Sequence, residues 1–367
     1  MHLKQVKIGE LNDFIKSDTY RSLNVLPITP ERAKSQSLNP DSDDEDVALI
    51  IAYNEQDEIT GYIGILPGKI KPELPEKIYW NSCWWAHPKK GSGVAMALFF
   101  QMMKVTGRKM IFAELSPATK IILKNLPGFV VPEPAEGLTG YILPDVTGFL
   151  KRRKLRNPVV IHSGHITENI TSIFRQPAIA WWKHRLNKEA ITSHEEIENM
   201  NQSEGEFIQK NQGKQLTIKT PGHFNWIKTF PWLIDKPGKE EKNLSKKYFF
   251  SWIVSGFQTK FFKIHAENRL VCILVMTNRE GNCKIPYIYY DKEYTGFIVE
   301  EIYRILFEQK AKSISLFHQD LIETIKEFPN PFFYTRKIIK QTAWSEDLGL
   351  SEEDVILQDG DGDAVFT

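Results

Sequence analysis

Cysteine is scarce in this chain: three in 367 residues, Cys83, Cys272 and Cys283. An odd number at these spacings builds neither a disulfide framework nor a zinc-ligand pattern, so reduced thiols are expected. An excess of one charge is also lacking. The 47 Lys and Arg against 46 Asp and Glu leave a formal net charge of +1. That gives no global attraction to a nucleic acid, and an anionic ligand has to be met by a local patch. Long apolar runs are missing as well. None reaches the ~20 residues that cross a bilayer. Met1 to Lys16 is broken by Lys4, Lys7, Glu10 and Asp13 where a secretory leader would carry its apolar core. These absences point to a cytoplasmic protein with no nucleic-acid partner, no integral membrane segment and no metal.

What is present is a globular composition, 41% hydrophobic and 25% charged, on a chain longer than one core usually serves, so two domains are expected. The first spans 1–149, a basic and aromatic connector 150–190, and the last 191–367. In the first, 4–20 reads as a helix and the acidic run from Asp41 to Asp46 as an exposed loop. Strands follow at 47–53, 61–66 and 77–86, then a glycine-rich turn, a helix at 94–105, a strand at 109–115 and a helix at 118–126. Short strands at 128–129 and 139–143 close the unit. Strands first, then strand–turn–helix–strand, describe an α/β unit around a mixed sheet. The last segment repeats that order, with strands at 248–254, 258–265, 270–277 and 284–290, a helix at 295–309, a strand at 313–317, a helix at 320–328 and a strand at 332–339. From the strand end (His87 or Tyr290) to the next strand is about 21 and about 22 residues, which reads as an internal duplication of the fold.

The stretch that carries chemistry is His87-Pro88-Lys89-Lys90-Gly91-Ser92-Gly93-Val94-Ala95, between a strand and a helix. Two glycines allow a tight turn whose successive N–H groups point into one small volume. The helix beginning near Val94 adds unpaired N–H groups and the positive end of its dipole, and Lys89 and Lys90 add charge. Such a turn is a pyrophosphate cradle.

In these residues the sequence resembles the GNAT family of N-acetyltransferases, whose motif is Gln/Arg-x-x-Gly-x-Gly/Ala after a strand that ends in proline. Lys90 stands where Gln or Arg is usual, ahead of Gly91, Ser92, Gly93, Val94 and Ala95. Trp84-Trp85-Ala86-His87-Pro88 takes the place of the preceding strand end, and Gly128-Phe129 matches the family's late Gly-Phe. The resemblance covers roughly 4–143, and 195–340 by order of elements alone. It implies two GNAT-like domains in tandem and acyl transfer from acetyl-CoA, or another acyl-CoA, to a small-molecule, sugar or peptide amine. Trp85, Ala86, His87, Lys89, Lys90, Gly91, Ser92, Gly93, Val94 and Ala95 would then contact the cosubstrate. The strand ending at Ala86 would offer backbone N–H groups to the pantetheine arm and the thioester oxygen.

The sequence also departs from that pattern. Where relatives place an early carboxylate on this strand it has Trp80 and Asn81, and Lys124 stands near the position of a frequent proton-donating tyrosine. Glu114, on the next strand, is the remaining candidate base, acting through water, unless it is simply a solvated strand residue. Cys83 reads as a nucleophile or as buried packing.

In the second copy the matching turn is Tyr290-Asp291-Lys292-Glu293-Tyr294-Thr295-Gly296, without Gly-x-Gly and with two acids, so no coenzyme A is expected there. Lys151 to Arg156 followed by Trp181 and Trp182 reads as an anion-binding segment, or as a linker and a helix whose tryptophans pack on a domain. Asp359-Gly360-Asp361-Gly362-Asp363 resembles a calcium loop without its final glutamate, so a turn is expected. The N-myristoyltransferases, also double GNAT folds, use a C-terminal carboxylate as base. By that likeness Thr367 or Asp363 would reach the first domain's acyl site; otherwise Ala364 to Phe366 would add an edge strand. The leading expectation is an N-acyltransferase whose second domain shapes the acceptor cleft. A GNAT-fold binding protein without turnover and a Fem-type aminoacyl transferase are the alternatives.

Overall fold

A computed structural model describes residues 1–71, 77–89, 91, 93–152, 157–188 and 191–366. Lys90, Ser92, Arg153 to Arg156 and Thr367 lie outside these. Contacts divide the chain into two compact units, 1–135 with 199–257 and 340–367, and 136–198 with 258–339. These do not coincide with the boundaries at 149/150 and 190/191 expected from sequence, because strands are exchanged along the chain. Both units are α/β, each built on a seven-stranded mixed sheet.

In chain order the strands are β1 (His2–Lys7), β2 (Val47–Tyr53), β3 (Ile59–Lys69), β4 (Lys77–Ala86), β5 (Met110–Phe112), β6 (Phe129–Val130), β7 (Ala135–Tyr141) and β8 (Thr192–Ile197). They continue as β9 (Gln258–Ala266), β10 (Arg269–Arg279), β11 (Asn282–Tyr290), β12 (Ser313–Leu316), β13 (Tyr334–Lys340) and β14 (Ala343–Ser345).

The first sheet runs β1-β2-β3-β4-β5-β14-β6. Its first strand corrects the expected helix at 4–20: β1 pairs with β2 from His2↔Tyr53 to Lys7↔Val47, a 3-10 turn follows at Ile8–Glu10, and α-helix begins only at Leu11. The edge of β2 offers a full hydrogen-bond ladder, and that tertiary pairing overrides the local periodicity. Helix Val94–Val105 forms where expected. Val94, Leu98, Phe99, Met102 and Met103 make its buried stripe against Ile50, Ile63 and Ile65 of the sheet. Glycine at position 61 permits this close approach, since a Cβ there would stand 2.7 Å from Val94 Cγ1.

Residues 248–254, expected as a strand, form no regular strand. Tyr248 and Trp252, four apart, instead plug the core formed by Leu11, Tyr20, Leu26 and Tyr62, and Trp252 Nε1 donates to Glu31 Oε2 at 2.7 Å. The closing run near 139–143 also goes elsewhere. β7 joins the second sheet beside β12, while β14, from far along the chain, sits between β5 and β6 through Trp344↔Ile111 and Trp344↔Val130.

The second sheet runs β13-β7-β12-β11-β10-β9-β8. Helix Thr295–Glu308 covers it with Ile298, Ile302, Ile305 and Leu306, as its 3.6-residue pattern requires. Helix Pro158–Lys188 occupies most of the expected connector and lays Ile179 and Trp182 on this core, leaving Trp181 exposed. A charged knot, buried at Glu301 and Arg304 and open to water at Glu308, closes the unit. His194 Nδ1 meets Glu301 Oε1 at 2.6 Å and Nε2 meets Glu308 Oε2 at 2.9 Å, while Arg304 binds Glu301 from the other side.

Candidate active site

The site is set by how β4 leaves its neighbour. β4 and β5 are parallel and pair only at Tyr79↔Met110 and Trp80↔Ile111, whereas β3 accompanies β4 through to Gly61↔Ala86. From Asn81 to Ala86, therefore, the β5-facing edge of β4 carries no ladder among the described residues. A bulge accompanies the split. Ile63 pairs with Trp84 and Gly64 with Ser82, so Cys83 is the extra residue, at φ +58°. A left-handed conformation at a non-glycine residue costs about 1 kcal/mol or more and has to be held by its surroundings. Gly64 is required opposite it, because a Cβ there would run into the Ser82 carbonyl oxygen.

The holding group is Arg32, on the short helix Pro30–Gln36 that Thr29 caps by accepting from its amide at 3.3 Å. The guanidinium is buried. Nη1 donates to Cys83 Sγ and, at 3.4 Å, to Tyr248 Oη; Nη2 donates to Ser82 Oγ and lies 4.0 Å from Asp363 Oδ2. Its carbon stands 4.2 Å from the centre of the Trp232 ring. Burial works against this charge, but the thiol of Cys83, the phenol of Tyr248 and the carboxylate of Asp363 outweigh it, and the guanidinium pKa is raised. Burial pushes the Cys83 thiol up, and the Arg32 charge pulls it only part of the way back. A thiol held protonated is a poor nucleophile, which favours the packing reading of Cys83.

Asp363 arrives from the acidic run near the end of the chain. Ser82 Oγ donates to its Oδ2, and the preceding Gly362, at φ +74°, lies so close to β4 and β5 that a Cβ would stand 3.0 Å from Ala113 Cβ and 3.2 Å from Trp80. The other acids of the run are engaged too. Thr217 Oγ1 donates to Asp361 Oδ1 at 2.7 Å, and Lys340 Nζ to Asp359 Oδ1 at 2.9 Å. The run is a docked turn, and Val365 and Phe366 are buried in a 3-10 turn instead of adding an edge strand. Of the two tail carboxylates expected near β4, Asp363 is there and Thr367 lies outside the described residues.

Arg32, Asn81, Cys83, Glu114, Tyr248 and Asp363 line one cavity of about 540 Å³, with Trp84, Trp232 and Phe250 as its aromatic walls. Glu114 lies two residues past β5, not on it. It is exposed at the cavity and makes no hydrogen bond among the described residues.

The glycine turn continues from the end of β4. His87 N–H donates to Thr60 O at 2.8 Å, Gly91 N–H to His87 O at 2.7 Å and Val94 N–H to Gly91 O at 3.0 Å. Two amides expected to face an anion, those of Gly91 and Val94, are thus spent inside the turn. Gly93 has φ +76° with open space around a would-be Cβ, whereas at Gly91 a Cβ would run into the His87 carbonyl. A turn closed this tightly, capped by a left-handed glycine and open beyond it, fits the approach of a phosphate group. Lys89 is exposed beside it, and Trp85 stacks on Phe249 with ring centres 4.4 Å apart while meeting the His87 ring edge-on at 6.1 Å.

In the second unit the same split recurs: β11 pairs with β12 only from Asn282↔Ser313 to Lys284↔Ser315. The turn after it is a 3-10 turn, Lys292–Tyr294. Its charges are committed locally, Asp291 to Arg269 at 2.6 Å and Lys292 to Asp320 at 2.9 Å.

Sequence alone missed Arg32 and Tyr248. No family model matches the chain, and no curated protein does. Solved structures do. A conserved protein from Enterococcus faecalis V583, described as a probable N-acyltransferase, matches with a TM-score of 0.50 at 10% identity over 95% of this chain and 73% of its own. A GCN5-related N-acetyltransferase from Anabaena variabilis matches with 0.45 at 9% over 93% and 72%. A putative acetyltransferase from Pyrococcus horikoshii matches with 0.45 at 12% over 98% and 95%.

Proposed function

We propose, from a GNAT-like fold that spans nearly the whole chain, that the first unit transfers an acyl group, acetyl in the simplest case, from coenzyme A to an amine. One observation carries the reading: β4 loses its β5 partner after Trp80, just upstream of the glycine turn. The thioester supplies an activated acyl carbon. The free edge of 81–86 would hold the arm that carries it, with Trp85 and Ala86 at its end. His87, Lys89, Lys90, Gly91, Ser92, Gly93, Val94 and Ala95 would bound the pyrophosphate. Because the turn spends the amides of Gly91 and Val94 on itself, the helix dipole and the lysines would carry more of the anion's charge.

The acceptor amine has to lose a proton as it attacks. Glu114, exposed at the cavity and unpaired, would take it through a water molecule. A second reading rests on the bond from Ser82 to Asp363, which fixes a carboxylate beside the bulge, and assigns that group the proton instead.

Calorimetric titration with acetyl-CoA tests the cosubstrate, and release of free thiol across a panel of amines tests transfer. Binding with no thiol release from any amine leaves a binding protein. No binding removes the reading.

A further inference from the structure

Two phenylalanines stand next to each other in water beside this site. Phe249 is 55% exposed and Phe250 39% exposed, on the irregular segment that follows the buried Tyr248. Phe249 lies flat on Trp85, and Phe250 sits edge-on to Tyr62 with ring centres 6.2 Å apart. Phe250 also walls the cavity that Glu114 and Asp363 reach. Adjoining apolar surface at the mouth of a partly polar cavity is the pattern of a ligand groove.

The polar lining limits what that ligand can be. Its ionised side chains are one arginine, one aspartate and one glutamate, so beyond the Arg32–Asp363 pair a single negative charge remains. That suits one ammonium group and gives no row of carboxylates for a polycation. Five lining residues carry hydroxyls, Thr29, Ser116, Thr119, Tyr248 and Ser251; of these Thr29 Oγ1 accepts from the Arg32 amide, Ser116 Oγ from the Thr119 amide at 3.1 Å and Tyr248 Oη from the Arg32 guanidinium at 3.4 Å. Against the exposed rings of Phe249 and Phe250, however, a body rich in hydroxyls would lose water without regaining its hydrogen bonds, whereas an aromatic ring would not.

We propose that the acceptor of the first unit is a primary amine on one aromatic body, the ring resting against Phe249 and Phe250 and the nitrogen directed between Glu114 and Asp363. This rests on the acyl-transfer reading and narrows its acceptor to arylalkylamines, against sugar amines and polyamines.

Phenethylamine, glucosamine and spermidine are to be compared with acetyl-CoA by thiol release, and each amine is titrated separately by tryptophan fluorescence. Phenethylamine should be preferred in kcat/KM by about ten-fold or more over both others, and Phe250→Ala should raise its KM and weaken its binding about ten-fold. Because Phe250 is partly exposed, the variant should fold, and an unchanged circular dichroism spectrum checks that. The KM for acetyl-CoA should stay as it was. Equal or better use of glucosamine or spermidine overturns the proposal, as does a KM indifferent to both Phe249→Ala and Phe250→Ala. Phenethylamine that binds, and loses affinity in Phe250→Ala, without any thiol release would sink the transfer reading and leave the amine site standing. Thiol release with the other amines alone would do the reverse.

Discussion

The rings of Phe366 and Trp232 lie face to face, 4.5 Å between centres and 6° from parallel, with Trp226 edge-on at 5.0 Å. This contact seats the segment that carries Asp363, since Phe366 N–H returns to Asp363 O at 3.2 Å. Trp232 also receives the Arg32 guanidinium on its ring, so one indole joins the tail to the bulge of β4.

Phe366→Ala removes a ring that is 1% exposed and should destabilise the first unit by about 3–5 kcal/mol. Denaturant unfolding followed by tryptophan emission measures it. A change under 1 kcal/mol would mean that the tail is not docked in solution.

Gly93→Asp places a carboxylate and a β-carbon at a left-handed position beside the proposed pyrophosphate site. Affinity for acetyl-CoA should fall about ten-fold or more in a protein that still folds. Gly296→Asp, after β11 in the second unit, has open space around it and should leave that affinity unchanged. Equal losses in the two variants would contradict the placement.

Glu114→Gln and Asp363→Asn separate the two candidate bases. The true base should cost about 10²-fold or more in kcat while sparing acetyl-CoA binding. If Asp363 serves only to hold Ser82 and Arg32, its amide should lower the unfolding midpoint and leave the pH profile of kcat in place.

The knot around His194 gives a pH dependence with a definite sign. Burial lowers the imidazole pKa, but Glu301 and Glu308 outweigh it, and the folded value is raised. Its stabilisation is therefore fully present below the unfolded value of about 6.5 and lost as pH rises through the folded one. Protection factors of the β8 amides, which take out the intrinsic rise of exchange with pH, should fall above neutrality in the wild type and lose that pH response in His194→Gln. The same response in the variant would exclude His194 as its source.

Local pattern made much of this visible beforehand. Helix Val94–Val105 and the glycine turn are written within about twenty residues, where apolar spacing and backbone freedom speak directly. β1 was not legible, because its ladder on β2 is a distant choice. Three-residue β14 carries too little alternation to register. The cluster at the bulge was hidden by separation: Arg32 meets Tyr248 across 216 positions, and Ser82 meets Asp363 across 281. Glu114 was found as a residue but misplaced by two positions, since β5 stops at Phe112. Pairing with β14 fixes that end, so it cannot be read from β5 itself.

The insertion of β14 between β5 and β6 also bears on how the protein is made. Synthesis runs from the N-terminus, and β5 is complete more than two hundred residues before Ala343 to Ser345 emerge to join it. A sheet formed during that interval would have a raw edge at β5, open to mispairing with neighbouring chains. A ribosome-bound chaperone should matter more for this protein than for one whose first sheet closes from its own first 135 residues.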